Sequence, residues 1–253
     1  QEQPFTVAFN QLRRDMYGNH PYSLPGIGTE ASVAGFQQQH LLDFHRQYFR
    51  PDNMVVTIVG RITPTEAVEQ VEQVLGGWTA PASPPPGVVF PTTPTTGHCS
   101  VVTQDTNQAI IMVGYPAASV KHPSYAALKL LNTYLGNGLS SRLFVELREK
   151  RGLAYDVSAF YPTRLGQSQF VAYMGTSPAN ATTALEGLRF EVERLRDIML
   201  SEDELQAAKN KLLGQYALGK QTNAQIAQLL GWYEILGLGV EFDQHFQDIT
   251  AAV

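Results

Sequence analysis

The sequence predicts an α+β fold in two units, and three features carry that expectation. Short apolar, β-branched runs alternate with longer stretches whose apolar residues recur at helical spacing. A proline-dense stretch, APASPPPGVVFPTTPTTG at 80–97, separates two such sets. The second set holds two alternating runs spaced as a hairpin pair, with helical segments after them.

In chain order, Phe5, Val7, Ala8, Leu12 and Met16 fall on one helical stripe within Pro4 to Tyr17, and Gly18 stops that helix. NHPYSLPGIGT at 19–29 is too rich in Pro and Gly for a regular element and reads as a helix connector that also has the option of shaping a chamber. Ser32 is placed to cap a second helix running through HLLDFHRQYF to Phe49. NMVVTIVG at 53–60 reads as a buried strand, and Thr63-Pro64 opens a helix ending near Trp78. The stretch at 80–97 is an expected extended linker between a first domain at 1–79 and a second at 98–253. Beyond it, CSVVTQD and QAIIMVGYP read as strands and HPSYAALKLLNTYLG as a helix. SSRLFVELREKRG reads as a second helix ending at Gly152, and AYDVSAFYP and SQFVAYMGT as a hairpin pair. Helices are expected from about Asn180, Ser201 and Asn223. The tail WYEILGLGVEFDQHFQDI echoes the order of features in the head MYGNHPYSLPGIGTEASV, which suggests two related domains, each cut short.

Composition excludes several classes. With 18 Lys plus Arg against 23 Asp plus Glu, a net charge of -5 and no basic run, nucleic acid is not an expected partner. No apolar run approaches the roughly 20 residues of a membrane span, and QEQPFTVAFNQLRRD lacks the layout of a signal peptide. A single cysteine, Cys99, excludes an internal disulfide framework and leaves the compartment open.

Catalytic motifs are scarce. His40 and His45 share a helix, but five positions turn the second imidazole roughly 140° from the first, whereas ligands on one face stand four apart. His20, His98, His122 and His245 have no partner at ligand spacing, so no metal site is expected in this chain. No nucleophile elbow is present, and GNGLSS at 136–141 follows a helix, which fits a helix stop and not a phosphate cradle.

LREKRGLAYDV at 147–157 is the exception, because a helix there ends at Gly152 and turns directly into a strand. The run LGNGLSSRLFVELREKRGLAYDVSAFY resembles the C-terminal homologous domain of the M16 zinc metallopeptidases, the pitrilysin and mitochondrial processing peptidase family. NHPYSLPGIGT and YFRPDNMVVTIVG resemble the later part of that family's N-terminal domain, so the likeness covers essentially the whole chain. It implies two LuxS/metallopeptidase-like α+β domains, each an antiparallel-rich sheet packed by helices, and, with the head–tail echo, that the first of them is incomplete. It also implies that Arg148 and Tyr155, seven positions apart, contact substrate and stabilise the tetrahedral intermediate. A guanidinium and a phenol are both donors suited to a developing oxyanion. From the residues alone, an Arg148 ion pair with Glu146 or Glu149 and a sheet-packing Tyr155 remain open.

The family's zinc site needs HxxEH, which this sequence lacks, and the downstream Glu ligand would precede Gln1. The resemblance therefore implies zinc in a complete enzyme and none bound by this chain. The expected partners are a peptide or unfolded-protein substrate and either a missing N-terminal zinc-bearing segment or a zinc-bearing subunit, with a dimer an admissible assembly. The alternative is a zinc-free partner or a non-catalytic scaffold of the same fold.

Overall fold

Residues 170–175 are apolar on both sides of the pleat, as a strand covered on both faces must be, and they belong to a longer run, 168–176. In the computed structural model of the chain, which describes residues 3–87, 89–91, 93 and 96–253, they form the middle of a three-stranded antiparallel sheet. Its strands are β1 (Ala109–Ala117), β2 (Asp156–Phe160) and β3 (Ser168–Thr176), in the order β1-β3-β2. β1 runs the length of β3, from Ala109 opposite Thr176 to Ala117 opposite Ser168, and β2 pairs from Asp156 opposite Gly175 to Phe160 opposite Val171. The expected hairpin pair is thus formed.

Helix α1 (Pro4–Tyr17) covers one face: Phe5 meets Tyr173 edge-on at 5.0 Å, Phe9 meets Phe160 at 5.2 Å, and Leu12 and Met16 lie over Gly114. Later in the chain come α5 (Tyr125–Gly136), packed on β2, and α6 (Ala181–Glu193), laid across β1 and β3 with Ala184 and Leu188 fully buried. These elements form one compact unit of residues up to Pro25, Phe90–Gln215 and Phe246–Val253.

A second compact unit, Gly26–Val89 with Tyr216–His245, contains α2 (Glu30–Ala34), α3 (Gln38–Tyr48), α4 (Pro64–Leu75) and α8 (Asn223–Ile235). Each unit draws residues from both sides of the proline-dense stretch. In this second unit the buried Arg50 grips Asp52 with two hydrogen bonds and reaches the carbonyl of Pro81 at 3.2 Å. α7 (Glu202–Leu218) ends in it, where Tyr216 and Lys220 both donate to Asp243. The chain finishes with α9 (Phe242–Ala252).

Three expectations are corrected. Residues 53–60 form no strand; Met54 is extended, but Met54, Val55, Val56 and Ile58 are each at least 40% exposed and no ladder forms among the described residues. Residues 99–105 likewise form no strand, and Val101 is 89% exposed. The cause is shared: a strand exists only when a neighbour takes up its backbone groups. Ser32 is not the helix cap; Thr29 is, with Ser32 returning the hydrogen bond from the third helical position, and a new helix starts at Gln38. The helix expected over SSRLFVELREKRG is present, and its Phe144–Glu149 part is a π-helical turn.

Candidate functional site

Arg148 and Tyr155 lie at opposite ends of the link from the π-helical turn to β2. The turn is closed by the amide of Lys150 donating to the carbonyl of Val145 at 3.0 Å, five residues back. Leu143 and Leu147 are fully buried and anchor its inner side, which leaves Arg148 exposed on the outer side. Gly152 then takes φ +63°, the left-handed conformation that a residue with a Cβ adopts only under strain.

Three hydrogen bonds hold the chain after that glycine. The amide of Leu153 donates to the carbonyl of Leu147 at 2.9 Å, and the Thr176 hydroxyl donates to the carbonyl of Leu153 at 2.6 Å. The amide of Tyr155 donates to the carbonyl of Gly175 at 2.8 Å, continuing the β2–β3 ladder by one residue. The backbone of the link is therefore bound to the sheet while both side chains of interest point outward: Arg148 is exposed and Tyr155 is 56% exposed.

Arg148 makes no ion pair among the described residues; its guanidinium lies 5.0 Å from the ring centroid of Phe144. Glu146 is instead bonded to Lys150 at 2.8 Å and lies 3.7 Å from Arg142, and the Lys150 bond is the main reason its carboxyl titrates below the usual value. Tyr155 keeps more than half of its surface exposed. No hydrogen bond joins Arg148 to Tyr155. What the link presents is a cationic fork and a phenol, both free to donate to a carbonyl or an oxyanion brought to this surface.

Zinc does not fit the residues described. No group of three or more His, Cys, Asp or Glu stands where it could hold a metal ion among the described residues. The histidines are engaged locally. His40 accepts from the amide of Gln37, His45 stacks on Phe49 at 5.0 Å, His122 accepts from the amide of Ser124, and His98 lies 3.7 Å from Asp15. No helix of the described residues is long and apolar enough to cross a membrane.

Residues 35–212 match the family model described as the peptidase M16 inactive domain. An uncharacterized zinc protease of Streptomyces coelicolor is 28% identical over 93% of this chain and 52% of its own length. One of Bacillus subtilis is 27% identical over 99% of this chain and 61% of its own length. A crystal structure described as the peptidase M16 inactive domain from Pseudomonas fluorescens superposes with a TM-score of 0.87 at 24% identity, covering 99% of this chain and 60% of that one. The chain thus spans about half to three fifths of the curated relatives named here.

Proposed function

The chain belongs to the peptidase M16 family, and from that premise we propose that it is the part of a zinc-dependent endopeptidase that offers Arg148 and Tyr155 to a peptide or unfolded-protein substrate. The observation that carries this reading is the exposure of two hydrogen-bond donors on a link whose backbone is tied to the sheet at Leu153 and Tyr155. Donors fixed before substrate arrives cost no reorganisation when charge develops on the scissile carbonyl oxygen. Arg148 supplies a full positive charge there and Tyr155 a neutral hydroxyl, and both also help to orient the peptide. Zinc would have to be held by residues other than the described ones, and would there supply activation of a water for attack on the peptide. The same reading treats 1–79 and 98–253 as parts of two homologous domains joined through 80–97, and leaves a dimer as an admissible assembly.

Zinc content and peptide cleavage, measured for this chain beside a longer parent protein, test the reading. The parent is expected to bind about one zinc per chain and to cleave, and this chain to do neither. In the parent, Arg148→Ala and Tyr155→Phe should each lower kcat/KM by about 10- to 100-fold, the scale of losing one oxyanion donor. Thermal stability should barely change, since both side chains are exposed. A parent that neither binds zinc nor cleaves, alone or with partners, would replace this reading with that of a non-catalytic scaffold.

A further inference from the structure

We infer that Glu191 is a positioning residue for the Arg148–Tyr155 link, acting through Arg142 and Arg151; the inference rests on the function proposed above for that link. Glu191 sits on α6 and is only 1% exposed. Its carboxylate is shared by three guanidiniums. Arg142 donates from Nε to Oε2 at 2.7 Å, Arg151 donates from Nη2 to Oε1 at 3.2 Å, and Nη1 of Arg194 is 3.5 Å from Oε2.

The sequence positions of the first two partners give the cluster its meaning. Arg142 stands two residues before the π-helical turn Phe144–Glu149, and Arg151 stands two residues after it, next to Gly152. One buried carboxylate therefore grips both ends of the turn that displays Arg148, and its second end is where the chain departs for Tyr155. Close packing adds to the grip: a Cβ on Gly187 of α6 would come within 3.0 Å of Leu147 Cδ2 and 3.4 Å of Arg151 Nη1. Arg142 also lies 3.7 Å from Glu146, inside the turn.

Burying a carboxylate is unfavourable unless geometry and hydrogen bonding offset the lost hydration, and an apolar residue of similar volume often serves stability as well or better. Such a residue could fill the space beside Leu147, but it could not hold two arginines at fixed separation. Charge at this position selects one arrangement of the link. A π-helical turn has neighbouring α-helical registers into which it can relax, and the two guanidinium bonds oppose that relaxation at both ends.

Glu191→Gln keeps the side-chain volume and removes the charge. In a complete, zinc-loaded parent enzyme it should lower kcat about tenfold with KM little changed, as expected when reacting groups are misplaced by a fraction of an ångström. The same substitution in an Arg148→Ala, Tyr155→Phe double-variant background should cause almost no further loss, because both groups being positioned are gone. Equal losses in the two backgrounds would mean a general packing role and overturn the inference.

Hydrogen exchange on the present chain gives a readout independent of activity. Glu191→Gln should speed exchange at the amides of Leu153 and Tyr155 while leaving Val171, in the middle of the sheet, unchanged; unaltered exchange at Leu153 and Tyr155 overturns the clamp. Full activity of Arg148→Ala would sink the catalytic role of the link but not the clamp, which the exchange measurement decides alone. If Glu191→Gln fails to fold, Arg151→Gln, at a side chain 39% exposed, takes its place with the same two outcomes.

Discussion

At the scale of single residues, His20 shows how burial assigns a protonation state. It is 1% exposed, its Nδ1 accepts from the amide of Tyr22 at 3.0 Å, and its ring stacks flat on Phe90, with centroids 5.3 Å apart and planes 3° from parallel. Tyr17 and Tyr22 close around the same ring, and Arg164 lies over Tyr22 at 4.6 Å. Burial first, then the charge of Arg164, hold the imidazole below its ordinary 6.5. The unfolded chain consequently takes up this proton before the folded chain does. The associated stability is fully present above about pH 6.5 and is lost as pH falls from there through the lower folded value. The melting temperature should drop between pH 7 and 5, and drop less in His20→Asn, which retains an acceptor for the Tyr22 amide; equal drops in both would refute the assignment. Composition gave no hint of this state, because Phe90 comes from within the proline-dense stretch, far along the chain from His20. Arg148 and Tyr155 were legible as a pair only through the family resemblance, since seven-residue spacing by itself is equally compatible with a surface arginine and a sheet tyrosine. Glu191 was not legible: its partners Arg142 and Arg151 lie 49 and 40 residues away.

At the scale of elements, two glycines separate space from backbone conformation. Gly136 ends α5, and a Cβ there would lie 2.0 Å from the backbone nitrogen of Ala159 and 2.4 Å from its Cβ. The Ser158 hydroxyl donates to the Gly136 carbonyl across the same contact. Gly136→Ala must push α5 away from β2 and should cost about 3 kcal/mol or more. Gly152 has open space around it but φ +63°, so Gly152→Ala should cost about 1–2 kcal/mol of left-handed strain. Chemical denaturation of both variants checks the order, and a smaller loss at Gly136 would refute it. Helix limits written in short-range chemistry were readable. Gly18 and Gly152 stop their elements, and Thr63 with Glu66 forms the reciprocal cap that opens α4. The break between α2 and α3 was missed because the Thr29–Ser32 box and the restart at Gln37 lie inside one continuous helical pattern.

At the scale of the whole molecule, large apolar residues lie uncovered within the second unit, among them those of the run at 53–60 that the sequence reads as a buried strand. Leu41, Phe44 and Phe49 on and after α3 are each more than half exposed, as is Val68 on α4, and Met54, Val55, Val56 and Ile58 are 40–50% exposed. A Cβ on Gly231 of α8 would come within 2.6 Å of the Thr57 hydroxyl, so that run is covered closely on one side. Its backbone has no ladder partner among the described residues. The amides of Val55, Val56 and Ile58 should therefore exchange far faster than that of Val171 in the middle of β3. Protection of the run equal to that of Val171 would show that it is paired after all.

The sequence by itself determined the α+β class, the positions of most helices, the hairpin pair and, through resemblance, the family and the residues worth testing. Those properties follow from patterns a few residues long: apolar spacing, caps, and glycines at turns. Only the tertiary structure decided which β-forming runs become strands, how two compact units each draw on both halves of the chain, and which buried carboxylate grips the Arg148 link. Strand pairing and buried charge are properties of neighbours, and the neighbours here are brought together by the fold from distant parts of the chain.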